Sequence, residues 1–227
     1  MKEHFDGEAP DFDAIINRLI PYYPRMIEAL ASVLPFDSAA PLEVLDLGCG
    51  TGTVALEVKR KFPKANITCV DFAPAMLEQA RVKLGTGQGF RFQVGDFRSL
   101  VFDRRYDAVV SSLALHHLED DASKKAFYGR ILSNLNPGGA FYNADVVLAS
   151  AEGTQACFME KWKEYLIEHG KLTLDRIENF TFKQYKDEDR PARMIEQLKW
   201  LEDLGFIEVD VIWKHYNFAV YGGRKPN

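Results

Sequence analysis

The chain has 227 residues, of which 47% are hydrophobic and 27% charged, and its formal net charge is −5. This mixture is typical of a folded globular protein and excludes an intrinsically disordered chain. The acidic balance leaves no excess of cations to neutralise a phosphate backbone, so nucleic acid is not the expected partner. The three cysteines, Cys49, Cys69 and Cys157, follow no disulfide or zinc spacing, and neither a signal-peptide pattern nor an 18-residue apolar run occurs. We expect a cytoplasmic protein with no membrane association.

Helices and strands alternate along the first two thirds of the chain. Apolar residues at helical spacing predict two helices within residues 11–34, separated near Pro21 and Pro24. The strands expected after them are 42–47, 66–71, 91–96, 106–115 and 138–147. The helices expected between these strands are 53–62, 74–84 and 121–135. This alternation predicts parallel strands joined by right-handed crossovers, with helices on both faces of the sheet.

The pattern changes after Leu148. Residues 153–204 are predicted to be mostly helical, and the remaining residues alternate over two strands that suit an antiparallel pair at a sheet edge. The fold class is therefore α/β, a Rossmann-like seven-stranded sheet that is mostly parallel with an antiparallel C-terminal strand. We expect a single domain made of an N-terminal helical cap (1–40), a ligand-binding core (41–148), a helical insertion (149–204) and a C-terminal strand pair (205–227).

A glycine-rich turn joins the first strand to its helix in the sequence EVLDLGCGTGT, residues 43–53. Open α/β sheets bind ligands at the carboxyl ends of their strands, and glycines there bring bare backbone amides against a ligand that a Cβ would push away. Asp71 ends the second strand, where a carboxylate can accept both hydroxyls of a ribose. The two features together predict a nucleoside site. A dinucleotide fingerprint would need a glycine where this chain has Thr53.

Four motifs, DLGCGTG, VDFAPAML, GDF and LNPGG, follow one another in this order. With them, residues 42–147 resemble the class I S-adenosylmethionine-dependent methyltransferases. The resemblance implies S-adenosylmethionine as cofactor and S-adenosylhomocysteine as product. It also implies a set of cofactor-binding residues: Asp46, Gly48, Cys49, Gly50, Thr51 and Gly52 near the methionine part, Asp71 on the ribose, Phe72, Met76 and Phe97 beside the adenine, and Asp96 on the adenine amine.

Two histidines, His116 and His117, follow the fourth strand at the mouth of the same cleft. They are the candidate catalytic residues, since either could approach the sulfonium or the methyl acceptor. The alternative is that they pack or cap locally. No acid or cysteine stands at ligand spacing beside them, so no metal site is predicted. The acidic run 119–121 is predicted to begin a helix, with Asp120 or Asp121 as its cap.

Both ends of the chain narrow the resemblance to the carboxy-S-adenosylmethionine synthase group, also described as tRNA cmo5U methyltransferase-like. By motif, Tyr23 matches a tyrosine that touches the cofactor, and Ser112 stands where that group has an asparagine. The group holds the cofactor's extra carboxylate with an arginine, for which Lys183 is nearest here, and lysine does not replace a bidentate guanidinium. We therefore expect ordinary S-adenosylmethionine as methyl donor. The similar stretches are HFDGEAPDFDAIINRLIPYY, VVSSLALHHLE and HYNFAVYGGRK.

The methyl acceptor is expected to enter between the N-terminal helices and the insertion, which are rich in aromatic residues. Such a pocket in an acidic protein favours a small, partly apolar acceptor. The alternatives are a carboxy-S-adenosylmethionine synthase-like or tRNA-modification enzyme, a nicotinamide dehydrogenase, and a noncatalytic nucleoside-binding module; a homodimer is possible. The aromatic candidates are Phe5, Phe12, Tyr22, Phe158, Trp162, Tyr165, Phe180, Phe182 and Tyr185.

Overall fold

The computed structural model describes residues 11–85, 87 and 89–227, and Phe5 lies outside this part. The strands are β1 (Glu43–Leu47), β2 (Asn66–Asp71), β3 (Phe90–Val94), β4 (Tyr106–Ser112), β5 (Leu135–Val146), β6 (Ile207–His215) and β7 (Phe218–Arg224). The helices are α1 (Phe12–Leu19), α2 (Tyr23–Ser32), α3 (Thr53–Lys61), α4 (Pro74–Leu84), α5 (Asp121–Asn134), α6 (Glu152–Glu168), α7 (Phe182–Glu188) and α8 (Met194–Leu204). A short turn of α-helix (Leu174–Arg176) and a π-helical turn (Ile177–Thr181) lead into α7.

The strands form one seven-stranded sheet in the order β3-β2-β1-β4-β5-β7-β6. The first five strands along the chain pair in parallel, and β7 pairs antiparallel with both β5 and β6. The strand order reverses between β1 and β4, so the carboxyl end of β1 lies at the point where sheets of this kind bind ligands. The predicted Rossmann-like sheet is confirmed.

Local sequence features explain where the helices α4 and α5 begin. Pro74 opens α4, where its missing N–H costs nothing, and Asp120 caps α5 by accepting a hydrogen bond of 2.7 Å from the backbone N–H of Ser123. Of the two predicted caps, Asp120 is therefore the one the structure uses.

Two strand boundaries differ from the prediction. The fifth strand begins at Leu135 rather than after the NPGG turn, because Leu135 already pairs with Tyr106 and the register then shifts before Ala108 meets Ala140. The fourth strand ends at Ser112, and a 3₁₀ turn at Leu115–His117 follows it. The register shift in β5 and the 3₁₀ turn after β4 depend on pairing across the sheet. The NPGG turn signal and the apolar run of the sequence therefore did not predict these two boundaries.

Apolar side chains cover both faces of the sheet. One face packs against the first three helices and α6, and the other packs against α5 and α8. Tyr128 of α5 is buried there and shares a hydrogen bond of 3.0 Å with the hydroxyl of Tyr221 on β7. The helices thus hold the carboxyl edge of the sheet between two packed layers.

The N-terminal helices and the insertion contact each other above this edge. The indole N–H of Trp162 on α6 donates to the carbonyl of Leu19 at 2.8 Å, and the guanidinium of Arg18 donates to the carbonyl of Gly170 at 2.9 Å. These bonds make α1 and α6 one wall beside the strand ends. Within the described residues, no helix combines the length and the apolar character needed to span a bilayer.

Candidate functional site

Two of the three glycines in the turn after β1, Gly48 and Gly50, have different roles. Gly48 has φ of +65°, and a Cβ there would lie 2.4 Å from the Cβ of Ala114, so its neighbour leaves no room for a side chain. Gly50 has φ of +53°, but a Cβ there would meet only the ring of Phe12, at 3.8 Å. Gly48 is therefore required by packing, whereas the space beside Gly50 belongs to an open cavity.

Asp71, at the end of β2, holds this turn in place. One carboxylate oxygen accepts a hydrogen bond of 2.8 Å from the backbone N–H of Gly50, and the other accepts one of 2.9 Å from that of Ala73. The residue is only 5% exposed. Because both neighbours are backbone donors, the carboxylate is oriented before any ligand arrives.

A polar cluster ties α1 to the same turn. Asp13 accepts a hydrogen bond of 2.6 Å from the hydroxyl of Thr51 and forms an ion pair of 2.6 Å with Lys83, whose ammonium also donates to Thr51 and Thr53. Burial opposes the charge on Asp13, but the hydrogen bonds from Lys83, Thr51 and Thr53 and the charge of Lys83 together outweigh burial and lower the pKa of the carboxyl. Sequence reasoning missed this cluster because its members come from three separate helices and a loop.

A cavity of about 650 Å³, counting its open mouth, lies beside the glycine turn. Most of the residues predicted to bind the cofactor line it, together with one of the two histidines. The predicted residues among its walls are Tyr23, Gly48, Cys49, Gly50, Thr51, Asp71, Phe72, Met76, Phe97, Ser112 and His117. Its other walls are Phe12, Thr53, Val54, Leu113 and Ala114.

Three predicted cofactor residues do not line this cavity. Gly52 contacts the side chain of Leu84 instead, and Asp46 is fully buried behind the turn. The carboxylate of Asp96 forms a bidentate pair with the guanidinium of Arg98, at 2.5 Å for the closest atoms, and this pairing lowers its pKa. The carboxylate of Asp96 thus pairs with the neighbouring cation, and its contact with adenine stays a prediction.

Asp46 carries an unusual protonation state for a carboxyl group. Burial raises its pKa to about 8, the N–H of Ala55 opposes this rise, and the charge of Asp71 adds to it. No hydrogen bond of normal geometry reaches either oxygen from the described residues. A buried carboxyl of this kind ionises when a cation comes close.

His116 is held between two carboxylates. Its Nδ1 lies 2.5 Å from one oxygen of Asp145, whose other oxygen accepts the backbone N–H of His116 at 3.0 Å. Its Nε2 lies 3.4 Å from Asp189. Burial opposes the charged ring, but Asp145 and then Asp189 outweigh it and raise the pKa of His116 to about 10. Burial and the charge of His116 together lower the pKa of His117 to about 4.

A second cavity, about 1470 Å³ with its open mouth, adjoins the first. Both histidines and Asp189 lie on its wall, and Arg18 and Arg176 lie there as well. Its apolar walls are Phe12, Ile15, Ile16, Leu19, Ile20, Leu113, Val146, Trp162, Leu172, Phe180 and Phe218, and its other walls are Thr181, Gln184 and Tyr185. Among the aromatic candidates in the described residues, Phe12, Trp162, Phe180 and Tyr185 line it.

Phe12, Leu113 and His117 line both cavities, so the two spaces share a wall. Leu113 has φ of +50°, a conformation that a leucine adopts only when its surroundings impose it. Its backbone N–H donates to the carbonyl of Ala144 at 2.9 Å, which holds the strained turn against β5. At Leu113 the chain therefore makes a sharp turn between the two cavities.

Lys183, the predicted substitute for a carboxylate-binding arginine, lies away from both cavities. Its side chain is 68% exposed and pairs with Asp187 of the same helix. Arg176 lies on the second cavity instead, with its guanidinium carbon 4.4 Å from the centre of the Phe180 ring. Arg176 directly precedes the π-helical turn, an irregularity that helical periodicity does not predict.

A protein-family model described as "Methyltransferase domain" matches residues 44–139, which include the glycine turn, Asp71 and both histidines. The structure resembles human N-acetylserotonin methyltransferase in complex with S-adenosylmethionine, with a TM-score of 0.59 and 20% identity, over 88% of this chain and 56% of that one. It also resembles a protein described as the DhpI-SAM-HEP complex, with a TM-score of 0.64 and 20% identity, over 99% and 95% of the two chains. The chain carries a class I S-adenosylmethionine-dependent methyltransferase domain.

Sequence relatives match this chain over different lengths. Carboxy-S-adenosyl-L-methionine synthase of Campylobacter hominis is 25% identical over 235 residues, which cover 99% of this chain and 96% of the relative. Malonyl-[acyl-carrier protein] O-methyltransferase of Acetivibrio thermocellus is 30% identical over 120 residues, 53% of this chain and 41% of the relative. The chain thus spans less than half the length of that second relative.

The first cavity fits the cofactor of this class, S-adenosylmethionine. Gly50 leaves open the space that a Cβ would fill, Asp71 presents a fixed carboxylate to it, and Asp46 supplies a buried acid behind it. A sulfonium and an ammonium are cations, which favour an ionised carboxyl nearby. The methyltransferase assignment also removes the dehydrogenase alternative.

Cofactor binding at pH 7 is expected to release about one proton from Asp46, because its pKa of about 8 keeps it protonated until a cation approaches. Calorimetric titration in two buffers of different ionisation enthalpy measures this release. The Asp46→Asn variant has the same shape and no titrating proton, so its release is expected to be close to zero. Equal proton release from both proteins would show that the proton comes from elsewhere.

Proposed function

We propose that this protein transfers the sulfonium methyl of S-adenosylmethionine in the first cavity to a small, partly apolar acceptor in the second. The observation that carries the proposal is that Phe12, Leu113 and His117 line both cavities. A cofactor in one cavity and an acceptor in the other would therefore lie next to each other. The acceptor's lone pair attacks the methyl carbon, the carbon–sulfur bond breaks, and S-adenosylhomocysteine leaves. Alignment of two bound reactants supplies about 7–11 kcal/mol of such a barrier.

The proposed cofactor contacts follow from the walls of the first cavity. Asp71 holds the ribose, the glycine turn lies along the methionine part, and Phe72, Met76 and Phe97 enclose the adenine. His117, neutral because of its lowered pKa, faces the acceptor from the common wall, and His116 fixes the turn that carries it. These residues bind and orient the reactants and exclude water, which would otherwise compete for the methyl.

The second cavity indicates an acceptor that has both an apolar body and a negative group. Its walls are mainly apolar, and Arg18 and Arg176 bring two guanidinium groups to it. Guanidinium groups favour carboxylates and phosphates, which they can bind through two parallel hydrogen bonds. A small carboxylate with a ring or an aliphatic body matches both features better than a tRNA does.

A tryptophan at Thr181 tests this assignment. Thr181 lines the second cavity, so Thr181→Trp is expected to lower methyl transfer roughly tenfold or more by filling the acceptor space, with cofactor affinity unchanged. The matched control is Asn179→Trp in the same π-helical turn, at an exposed position outside both cavities. Transfer rates and cofactor affinity are measured for both. Loss of transfer in the control, or full activity in Thr181→Trp, contradicts the proposed acceptor site.

Carboxy-S-adenosylmethionine synthesis is a second candidate function. It is favoured by the relatives of that name, which match nearly the whole chain, and by the guanidinium of Arg176 in the second cavity. A synthase would bind carboxy-S-adenosylmethionine more tightly than S-adenosylmethionine, and Arg176→Ala would abolish the preference. A methyltransferase of the proposed kind prefers the ordinary cofactor with or without Arg176. Calorimetric titration of both proteins with both cofactors separates the two functions.

A further inference from the structure

His116, His117 and Asp189 bring three potential metal ligands together, although Asp189 is far from the histidines in the sequence. Their ligand atoms all lie within 4.8 Å of one another. The oxygen of Asp189 lies 3.4 Å from Nε2 of His116 and 3.7 Å from Nδ1 of His117. All three residues line the second cavity, so an ion between them would be open to a ligand on that side.

These separations are too long for good hydrogen bonds, which join nitrogen and oxygen at about 2.7–3.2 Å. They are close to the distance between two ligands of one tetrahedral zinc ion, which is about 3.3 Å when the bonds are about 2.0–2.1 Å. All three ligand atoms lie within 4.8 Å of one another, and small movements of Asp189, which is 20% exposed, and of the His117 ring would bring them around one ion. The spacing of the cluster is thus close to that of ligands around one ion, which would replace the proton that the raised pKa of His116 keeps on its ring at neutral pH.

The surroundings of His116 are those of a metal-ligating histidine. Asp145 holds its Nδ1 at 2.5 Å, which leaves Nε2 directed at Asp189. Asp145 is itself fixed by the amide of Asn143 at 3.1 Å. A carboxylate behind the ligating imidazole is the usual support of zinc-bound histidines. The backbone N–H of Arg190 donates to the carbonyl of His116 at 3.1 Å, which holds the segment carrying Asp189 against the histidines.

We propose that His116, His117 and Asp189 bind a divalent cation of the zinc type, with its remaining coordination position facing the second cavity. Two imidazoles and one carboxylate suit zinc, whereas magnesium and calcium prefer oxygen ligands. Three protein ligands and one open position are typical of zinc sites that bind a substrate group. An oxygen or sulfur of the acceptor can occupy that position. The site rests on the contacts within the cluster and does not depend on the proposed acceptor.

Metal binding is tested on the untagged full chain after treatment with a chelator. Zinc is expected to bind at about one equivalent per chain, and cobalt(II), added as a spectroscopic probe, is expected to show a visible ligand-field band that zinc displaces. Asp189→Asn and His117→Ala are expected to weaken cobalt binding about 100-fold. The controls are Asp187→Asn and His169→Ala, two exposed positions outside the cluster, which are expected to bind as the wild type does.

Absence of bound zinc and of the cobalt band in the wild type overturns the proposal, and so does a band that persists in Asp189→Asn. Because a variant can fail by unfolding, X-ray absorption of the zinc-loaded wild type gives a second measurement. Nitrogen and oxygen ligands at about 2.0–2.1 Å are expected, and a sulfur ligand at about 2.3 Å would assign the ion to a cysteine. Cofactor affinity, measured in parallel, separates failure of the metal site from failure of the methyltransferase function.

Discussion

Replacing Gly50 with alanine is expected to lower the affinity for S-adenosylmethionine about 100-fold while the protein stays folded. The added Cβ would project into the first cavity beside Phe12, where no other part of the protein needs the space. It would hold the cofactor away from the backbone N–H groups of the turn, at a loss of about 2.7 kcal/mol of binding free energy for that factor. Equilibrium calorimetry of both proteins measures the difference.

The backbone strain of this change needs its own control, because Gly50 has φ of +53°. Forcing alanine into that region costs about 1–2 kcal/mol of stability. Gly205, at the end of α8, has φ of +99°, and nothing lies within 4 Å of a Cβ added there. Gly205→Ala should therefore lose stability without losing cofactor affinity. Equal affinity losses in the two variants would mean that strain, and not occupation of the cavity, weakens binding.

Asp71→Asn is expected to weaken cofactor binding by a similar factor, about 100-fold. The carboxylate accepts two backbone N–H groups, one of them from Gly50, and an amide can accept only one of them because its nitrogen is a donor. The variant thus loses the charge proposed to face the ribose and one of the two bonds that orient the side chain against the glycine turn. An unmet buried donor also costs about 1–3 kcal/mol of stability.

The matched control for Asp71 is Asp107 on β4. Its carboxylate also accepts two N–H groups, from the backbone of Glu43 at 2.8 Å and the side chain of Asn136 at 2.7 Å, outside the residues that line either cavity. Thermal unfolding should report comparable losses in Asp107→Asn and Asp71→Asn, with cofactor affinity lowered only in Asp71→Asn. Normal affinity in Asp71→Asn would remove Asp71 from the proposed ribose contact.

The sequence predicted those parts of the site that belong to consecutive strand ends. The glycine turn and Asp71 follow β1 and β2, and parallel strands bring their carboxyl ends to one edge of the sheet. Local patterning was therefore enough to place them together. The mostly parallel seven-stranded sheet could be predicted for a similar reason, because strands that alternate with helices pair in parallel through right-handed crossovers.

Other parts depend on contacts between segments that are distant in the sequence. Asp189 lies in the helical insertion, far from the histidines along the chain, and contacts them only in the folded protein. The periodicity of the sequence does not predict such a contact. The ion pair of Asp96 with its neighbour Arg98 is likewise not encoded in the spacing of the motifs. Arg176, and not Lys183, lies on the second cavity. Each of these depends on side-chain geometry that spacing alone does not contain.

The most direct test of the proposed methyl transfer follows a labelled methyl group. Purified protein is incubated with methyl-labelled S-adenosylmethionine and a cell extract. The reaction mixture is then separated into small molecules, protein and RNA. Label is expected in the small molecules, with S-adenosylhomocysteine formed in equal amount, and much less with Thr181→Trp. Label in RNA or protein would contradict a small-molecule acceptor, and conversion of the cofactor to its carboxylated form with the label retained would contradict methyl transfer.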